Sequence, residues 1–175
     1  LLLSPLPRPE PPASIVLNPA YKQGSDHDVS ALVLASPINV AAGDLPVLPP
    51  TSILGGLKAS KFLQQATFTV LGYGSIEKPN GQWLTEWSSE RRVGTLGFKA
   101  LDNQIIHQSQ RINKGEDGAC NGDSGGPSLL QIRGINYVVG VTSSGDSPCY
   151  ATNTATRTDT DEALTLLTRV LAENP

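Results

Sequence analysis

Residues 118–127 read Gly-Ala-Cys-Asn-Gly-Asp-Ser-Gly-Gly-Pro. A serine preceded by Gly-Asp and followed by Gly-Gly-Pro stands on a tight turn. Its small neighbours let another backbone approach closely. Such a turn aims the N–H groups of Gly122 and Ser124 at one point. That geometry stabilises an oxyanion, and removing one donor of this kind from a protease costs roughly 3 kcal/mol. The plainer reading is a glycine-rich hairpin with an incidental Ser124.

On either side of the turn the pattern is one of short strands. Thr67–Leu71, Arg91–Phe98, Gln104–Gln108, Ser128–Ile132 and Tyr137–Thr142 are apolar or alternating stretches separated by turn residues, among them Lys78-Pro79-Asn80-Gly81. Ile15–Leu17 is apolar and β-branched, and Ser30–Ala35 is a continuous apolar run that suits a strand buried on both faces. Ala41–Pro50, with three prolines, reads as a crossing between two halves. Near the C-terminus, Ala163, Leu166, Leu167, Val170 and Leu171 fall on one face of a helix. Asp159 is expected as its N-cap, with Glu162 as the reciprocal partner. The first fourteen residues hold five prolines and read as an extended arm.

Composition narrows the function. Of 175 residues 38% are hydrophobic and 17% charged, and the net charge is −3. No excess of Lys and Arg exists to neutralise phosphates, which argues against nucleic acid as a partner. No apolar run approaches the roughly 18 residues of a membrane span, so no membrane partner is expected. Cys120 and Cys149 lack the neighbours of a zinc site, and neither a metal nor another cofactor is expected. The counts leave open whether they form one bridge or remain two thiols. With no Met and a start at Leu1, the sequence is expected to reflect either processing or truncation.

The hexapeptide Gly122–Pro127 resembles the nucleophile motif of the chymotrypsin/trypsin family of serine proteases. Other segments match that family in order. Asp28-Val29-Ser30-Ala31-Leu32 resembles the segment bearing the triad Asp, with Asn18-Pro19-Ala20-Tyr21 as its lead-in. Gly72-Tyr73-Gly74 resembles the Gly-Trp-Gly that opens the second barrel, with Tyr in place of Trp. Val141-Thr142-Ser143-Ser144-Gly145 resembles the strand that pairs with substrate backbone. The run from Cys149 through Asn153 and Arg157 is similar to the endings of secreted bacterial and fungal members. The resemblance covers about residues 14–175.

This resemblance implies an all-β, chymotrypsin-like double β-barrel with an incomplete first barrel and a C-terminal helix. It implies a proline-rich arm over 1–13, a remnant of the first barrel and crossing over 14–50, a second barrel over 51–158 and a helix over 159–173. It implies a secreted endopeptidase acting on protein or peptide substrates. Ser124 would be the nucleophile and Asp28 the orienting acid, with Gly122 and Ser124 forming the oxyanion hole. Gly118, Ala119, Asn121, Ser143, Ser144, Gly145 and Asn153 would bind substrate, and Cys120 would bridge to Cys149. Gly118 stands where trypsins carry Asp, so a neutral side chain is expected at the cleaved position. The alternative is a non-catalytic homologue that binds proteins through the old cleft.

Two features of the family are not found. The catalytic His precedes the Asp in this family, and no such motif lies ahead of Asp28. His27 adjoins Asp28 and, on a strand, points to the opposite face, while His107 reads as a surface or half-buried residue of a second-barrel strand. Neither is assigned as the base, so the chain alone is expected to be nearly inactive, since loss of the triad His in a protease of related mechanism removes about 10⁶ in turnover. In many members the equivalent of Asp123 also pairs with a new N-terminal amine, for which no substitute is identified. With much of the first barrel gone, exposed apolar surface and unpaired strand edges are expected.

Overall fold

A computed structural model describes residues 12–22, 26–75, 90–147 and 149–174. The Lys78–Gly81 turn and nearly all of the proline arm lie outside the described residues. Among the described residues eight strands and two α-helices are formed: β1 (Pro12–Leu17), β2 (Ser30–Leu34), α1 (Ile53–Ala59), β3 (Thr67–Gly72), β4 (Arg92–Leu101), β5 (Ile105–Ser109), β6 (Pro127–Ile132), β7 (Ile135–Gly145), β8 (Thr152–Arg157) and α2 (Asp161–Glu173). Six of the strands close into an antiparallel barrel in the order β3-β4-β5-β8-β7-β6, and β1 with β2 forms a separate two-stranded sheet.

The barrel closes because alternate residues of its strands are apolar and meet in register. Phe68 on β3 stands opposite Leu96 on β4 and opposite Leu130 on β6, so one apolar row crosses three strands and the closing seam. All three are buried, together with Val70, Leu101, Ile106, Val139 and Ala155. Each large side chain so buried contributes about 1.5–3 kcal/mol. Leu54 of α1 and Leu63 of a following 3-10 turn belong to the same core.

The crossing segment is fixed to the start of β7: Val47 N–H donates to Asn136 O at 2.9 Å, and Val138 N–H donates to Val47 O at 3.0 Å. On α2, Ala163, Leu166 and Val170 are buried against Val29, with Val16, Ala31 and Val33 of the small sheet and Val141 of β7 around them. The small sheet is therefore covered on one face only. Its other face exposes Ile15 (58%), Leu17 (69%) and Leu32 (61%), so β2 is not the doubly buried strand its apolar run implied. The expected exposed apolar surface is present here.

Three details depart from the sequence reading. The N-cap of α2 is Thr160, whose hydroxyl accepts from Ala163 N–H at 3.3 Å; Asp159 turns inward instead. Leu171 of the helical stripe is 61% exposed. The third is two elements absent from the sequence reading, α1 and β8. β8 reads Thr-Asn-Thr-Ala-Thr-Arg, a polar segment recruited as a strand because β5 and β7 pair with both its edges.

Candidate active site

The Gly122–Pro127 segment forms a turn pinned from three sides. Asp123 N–H donates to Cys120 O at 3.0 Å and Gly126 N–H to Asp123 O at 2.9 Å, which closes the turn on itself. Gly125 N–H donates to Thr142 O at 2.7 Å and Thr142 N–H to Gly126 O at 2.9 Å, which stitches the turn to β7. The Asp123 carboxylate accepts from Gly74 N–H at 2.8 Å on Oδ1 and from Cys120 N–H at 2.9 Å on Oδ2. A methyl at Gly72 would lie 1.8 Å from that Oδ1, so the carboxylate fills space that the Gly72-Tyr73-Gly74 segment leaves free. Gly122 adopts φ +97°, a backbone that favours glycine. Among the described residues no acceptor takes the N–H of Gly122 or of Ser124. Ser124 itself is exposed.

Asp28 and Ser143 come together although they are far apart in sequence. Ser143 Oγ–H donates to Asp28 Oδ2 at 2.7 Å, which ties β7 to the segment entering β2. Both line a cleft of about 610 Å³ with Ser144, Asp26, His107 and Tyr21 among its walls. His27 Nδ1 lies 2.9 Å from Glu162 Oε2, and His107 Nε2 lies 2.9 Å from Asp102 Oδ2. The chain's two histidines are thus each committed to a carboxylate, and His107 is half-buried as expected for a barrel strand.

Gly118, Ala119, Cys120 and Asp123 line a second cleft of about 340 Å³ together with Cys149. The Cys120–Cys149 disulfide is formed, with the Cα atoms 5.4 Å apart. Gly118 has φ +87°, and a methyl there would stand 2.9 Å from Cβ and Oε1 of Gln110. Both the backbone and the space therefore disfavour any side chain at this position. Asn121 is exposed, as are Ser144 and Gly145. Asn153 is buried and donates its amide to Gln108 Oε1 at 3.0 Å, and Gln108 donates to Ser128 Oγ at 2.6 Å.

Sequence reading missed Asp146. The β7–β8 connection folds around its carboxylate, which accepts from Thr152 N–H at 2.6 Å, Tyr150 N–H at 3.0 Å and Ala151 N–H at 3.1 Å. The backbone closes the same loop, with Cys149 N–H on Asp146 O at 2.7 Å and Asp146 N–H on Thr152 O at 3.1 Å. Burial pushes the Asp146 pKa upward, but the Thr152, Tyr150 and Ala151 N–H groups outweigh it and hold it below the ordinary 3.8. A depressed carboxylate pKa means its stabilisation is complete above the unfolded value and fades as pH falls through the folded one. The Thr152 amide is therefore expected to keep its exchange protection from neutral pH down to about 4 and lose it below, read by NMR across an acid titration. Protection lost already at pH 5 would contradict this assignment.

A family model described as Trypsin matches residues 11–164. Vitamin K-dependent protein C of Equus caballus is 28% identical over 139 residues, covering 75% of this chain and 87% of that protein. The protein of the same name from Felis catus is 27% identical over 137 residues, with the same coverage of 75% and 87%. That from Rattus norvegicus is 26% identical over 141 residues, covering 75% of this chain and 30% of that protein. The matched region runs from β1 into α2 and takes in both the pinned Ser124 turn and the Asp28 segment: the chain belongs to the trypsin family of serine proteases.

Proposed function

We propose that this chain carries the nucleophilic half of a secreted serine endopeptidase. Ser124 Oγ attacks the carbonyl carbon of a peptide bond, and its proton passes to an imidazole oriented by Asp28. The oxyanion rests on Gly122 and Ser124 N–H. The imidazole then protonates the leaving amine, and water hydrolyses the acyl-enzyme. The observation that carries this reading is the anchoring of both Asp123 oxygens, which holds the turn with those two N–H groups uncommitted.

His27 and His107 are engaged elsewhere, so the base is assigned to a segment other than the 14–50 remnant and the 51–158 barrel. The exposed Ile15, Leu17 and Leu32 face is the surface on which the rest of a first barrel would pack. The cleft beside Asp28 leaves room for a ring there. Ser143–Gly145 on one side and Gly118–Asn121 on the other form the substrate walls, with Asn153 beneath them. The absence of an acid at Gly118 favours an uncharged side chain at the cleaved position. The disulfide fits an oxidising, extracellular setting, and no described helix is long and apolar enough to cross a membrane.

The test is reaction of the 175-residue chain with a fluorophosphonate, with and without free imidazole. Labelling is expected to be slow alone and to rise about tenfold or more with imidazole, on the peptide that holds Ser124. Rapid labelling that ignores imidazole would overturn the assignment of the base. No labelling under either condition would favour the non-catalytic homologue that binds proteins through this cleft.

A further inference from the structure

We propose that Gln110 and Asp146 are positioning residues that lock the two walls of the substrate cleft in register, the carboxylate on one wall dictating where Ala119 stands on the other. The proposal rests on the reading of 118–121 and 143–145 as those walls.

Gln110 lies at the end of β5, between the two walls, and is 1% exposed. Its amide uses both ends. Oε1 accepts from Ala119 N–H at 3.0 Å, and Nε2 donates to Asp146 Oδ1 at 3.4 Å. Its backbone N–H adds a third tie, to Ala151 O at 3.3 Å. Asp146 follows directly on Gly145, and the same carboxylate gathers the N–H groups of Tyr150, Ala151 and Thr152. A continuous path of hydrogen bonds thus runs from the loop beyond β7, through one buried side chain, to the wall that precedes Ser124.

The disulfide between Cys120 and Cys149 joins the first wall to the connection that follows the second but does not fix their spacing. Disulfides tolerate Cα separations from about 4.4 to 6.8 Å, more than 2 Å of play around the 5.4 Å found here. A misplacement of about 1 Å near a reacting centre costs about a hundredfold in rate. The covalent bridge therefore supplies proximity, and the Asp146–Gln110–Ala119 path supplies the setting. Gln110 also backs Gly118, where no added side chain would fit, so a buried neutral amide, aligned by the Asp146 carboxylate, stands behind that wall.

Amide hydrogen exchange on the 175-residue chain tests the coupling directly. In Asp146→Ala, Tyr150, Ala151 and Thr152 are expected to exchange about tenfold faster or more, having lost a charged acceptor. The distinguishing result is at Ala119, which does not touch Asp146: its amide is expected to exchange about fivefold faster, while Phe68 and Leu96 keep their protection. Asp146→Asn retains one acceptor oxygen and is expected to restore part of the Ala119 protection, and it stands in if the alanine variant unfolds. Ala119 exchange equal to that of the unsubstituted chain in both variants would overturn the proposal.

A second measurement separates it from the protease reading. With imidazole present, Gln110→Ala is expected to change the ratio of labelling rates between small and bulky fluorophosphonates by about tenfold. An unchanged ratio with Ser124 still labelled would overturn the role in specificity. Failure of the unsubstituted chain to label would overturn the protease reading, and the Ala119 result would still decide whether the walls are coupled.

Discussion

Asp159→Ala is expected to lower the unfolding free energy by about 3–5 kcal/mol, because it strands a buried guanidinium. Asp159 is fully buried and the Arg157 side chain only 10% exposed. Arg157 Nε donates to Asp159 Oδ1 at 2.8 Å and Nη2 to Oδ2 at 2.9 Å, a two-pronged pairing that fits both planar groups. Arg157 Nη1 reaches on to the carbonyls of Asp102 at 2.8 Å and Asn103 at 3.1 Å. On the other side, Leu54 N–H donates to Asp159 Oδ2 at 2.9 Å and Ser52 N–H to Asp159 O at 2.8 Å. One carboxylate thus joins the end of β8 to the first turn of α1 and to the strand edge at Asp102. Alanine removes the carboxylate's bonds to Arg157 and to Leu54 N–H while leaving the positive charge behind. Urea unfolding checks it, as a fall in midpoint at constant slope. Replacing both partners by apolar residues, Arg157→Met with Asp159→Leu, is expected to cost much less, because no unpaired charge remains. A single variant within 1 kcal/mol of the parent chain would contradict the argument.

Removal of the disulfide by Cys120→Ser with Cys149→Ser is expected to cost about 3–4 kcal/mol. The bridge closes a sequence separation of 29 residues, a segment that contains the Gly122–Pro127 turn, β6 and all of β7. In the chain-entropy account, cutting it releases the unfolded ensemble rather than breaking native contacts. Denaturation of the oxidised chain beside the doubly substituted one measures the difference. Equal midpoints would show that the native fold gains nothing from the closure.

What could be read from the sequence divides along the range of the interactions involved. The Gly122–Pro127 turn is written in adjacent residues, since glycines and a short acidic side chain set its backbone locally, and the structure forms that turn. β3, β4, β6 and β7 were legible because their apolar residues alternate or cluster, and α2 because of its stripe. The Cys120–Cys149 pairing was open on the counts and followed only from the family resemblance. By contrast, Ile53–Ala59 contains Gly55-Gly56, a poor helix former, and its first turn is held by Asp159 from far along the chain. For the same reason Asp159 was misread as a local cap, when its partners are Arg157 and Leu54. Asp146 and Gln110 gave no signal, because a carboxylate in a loop and an amide just beyond a strand are ordinary until the fold brings three N–H groups to one and two walls to the other.

The barrel's seam has a dynamic consequence. β3 and β6 meet over three register pairs, Phe68–Leu130, Thr69–Leu129 and Val70–Ser128, whereas β3 and β4 share six. Local opening follows the shortest ladders of a fold, where the fewest bonds must part. β6 begins only three residues after Ser124. By ladder length the shortest joint of this barrel lies next to Ser124, and a fluctuation that frees β6 also slackens the turn. The geometry of that turn is only as persistent as the narrowest joint in the wall that carries it.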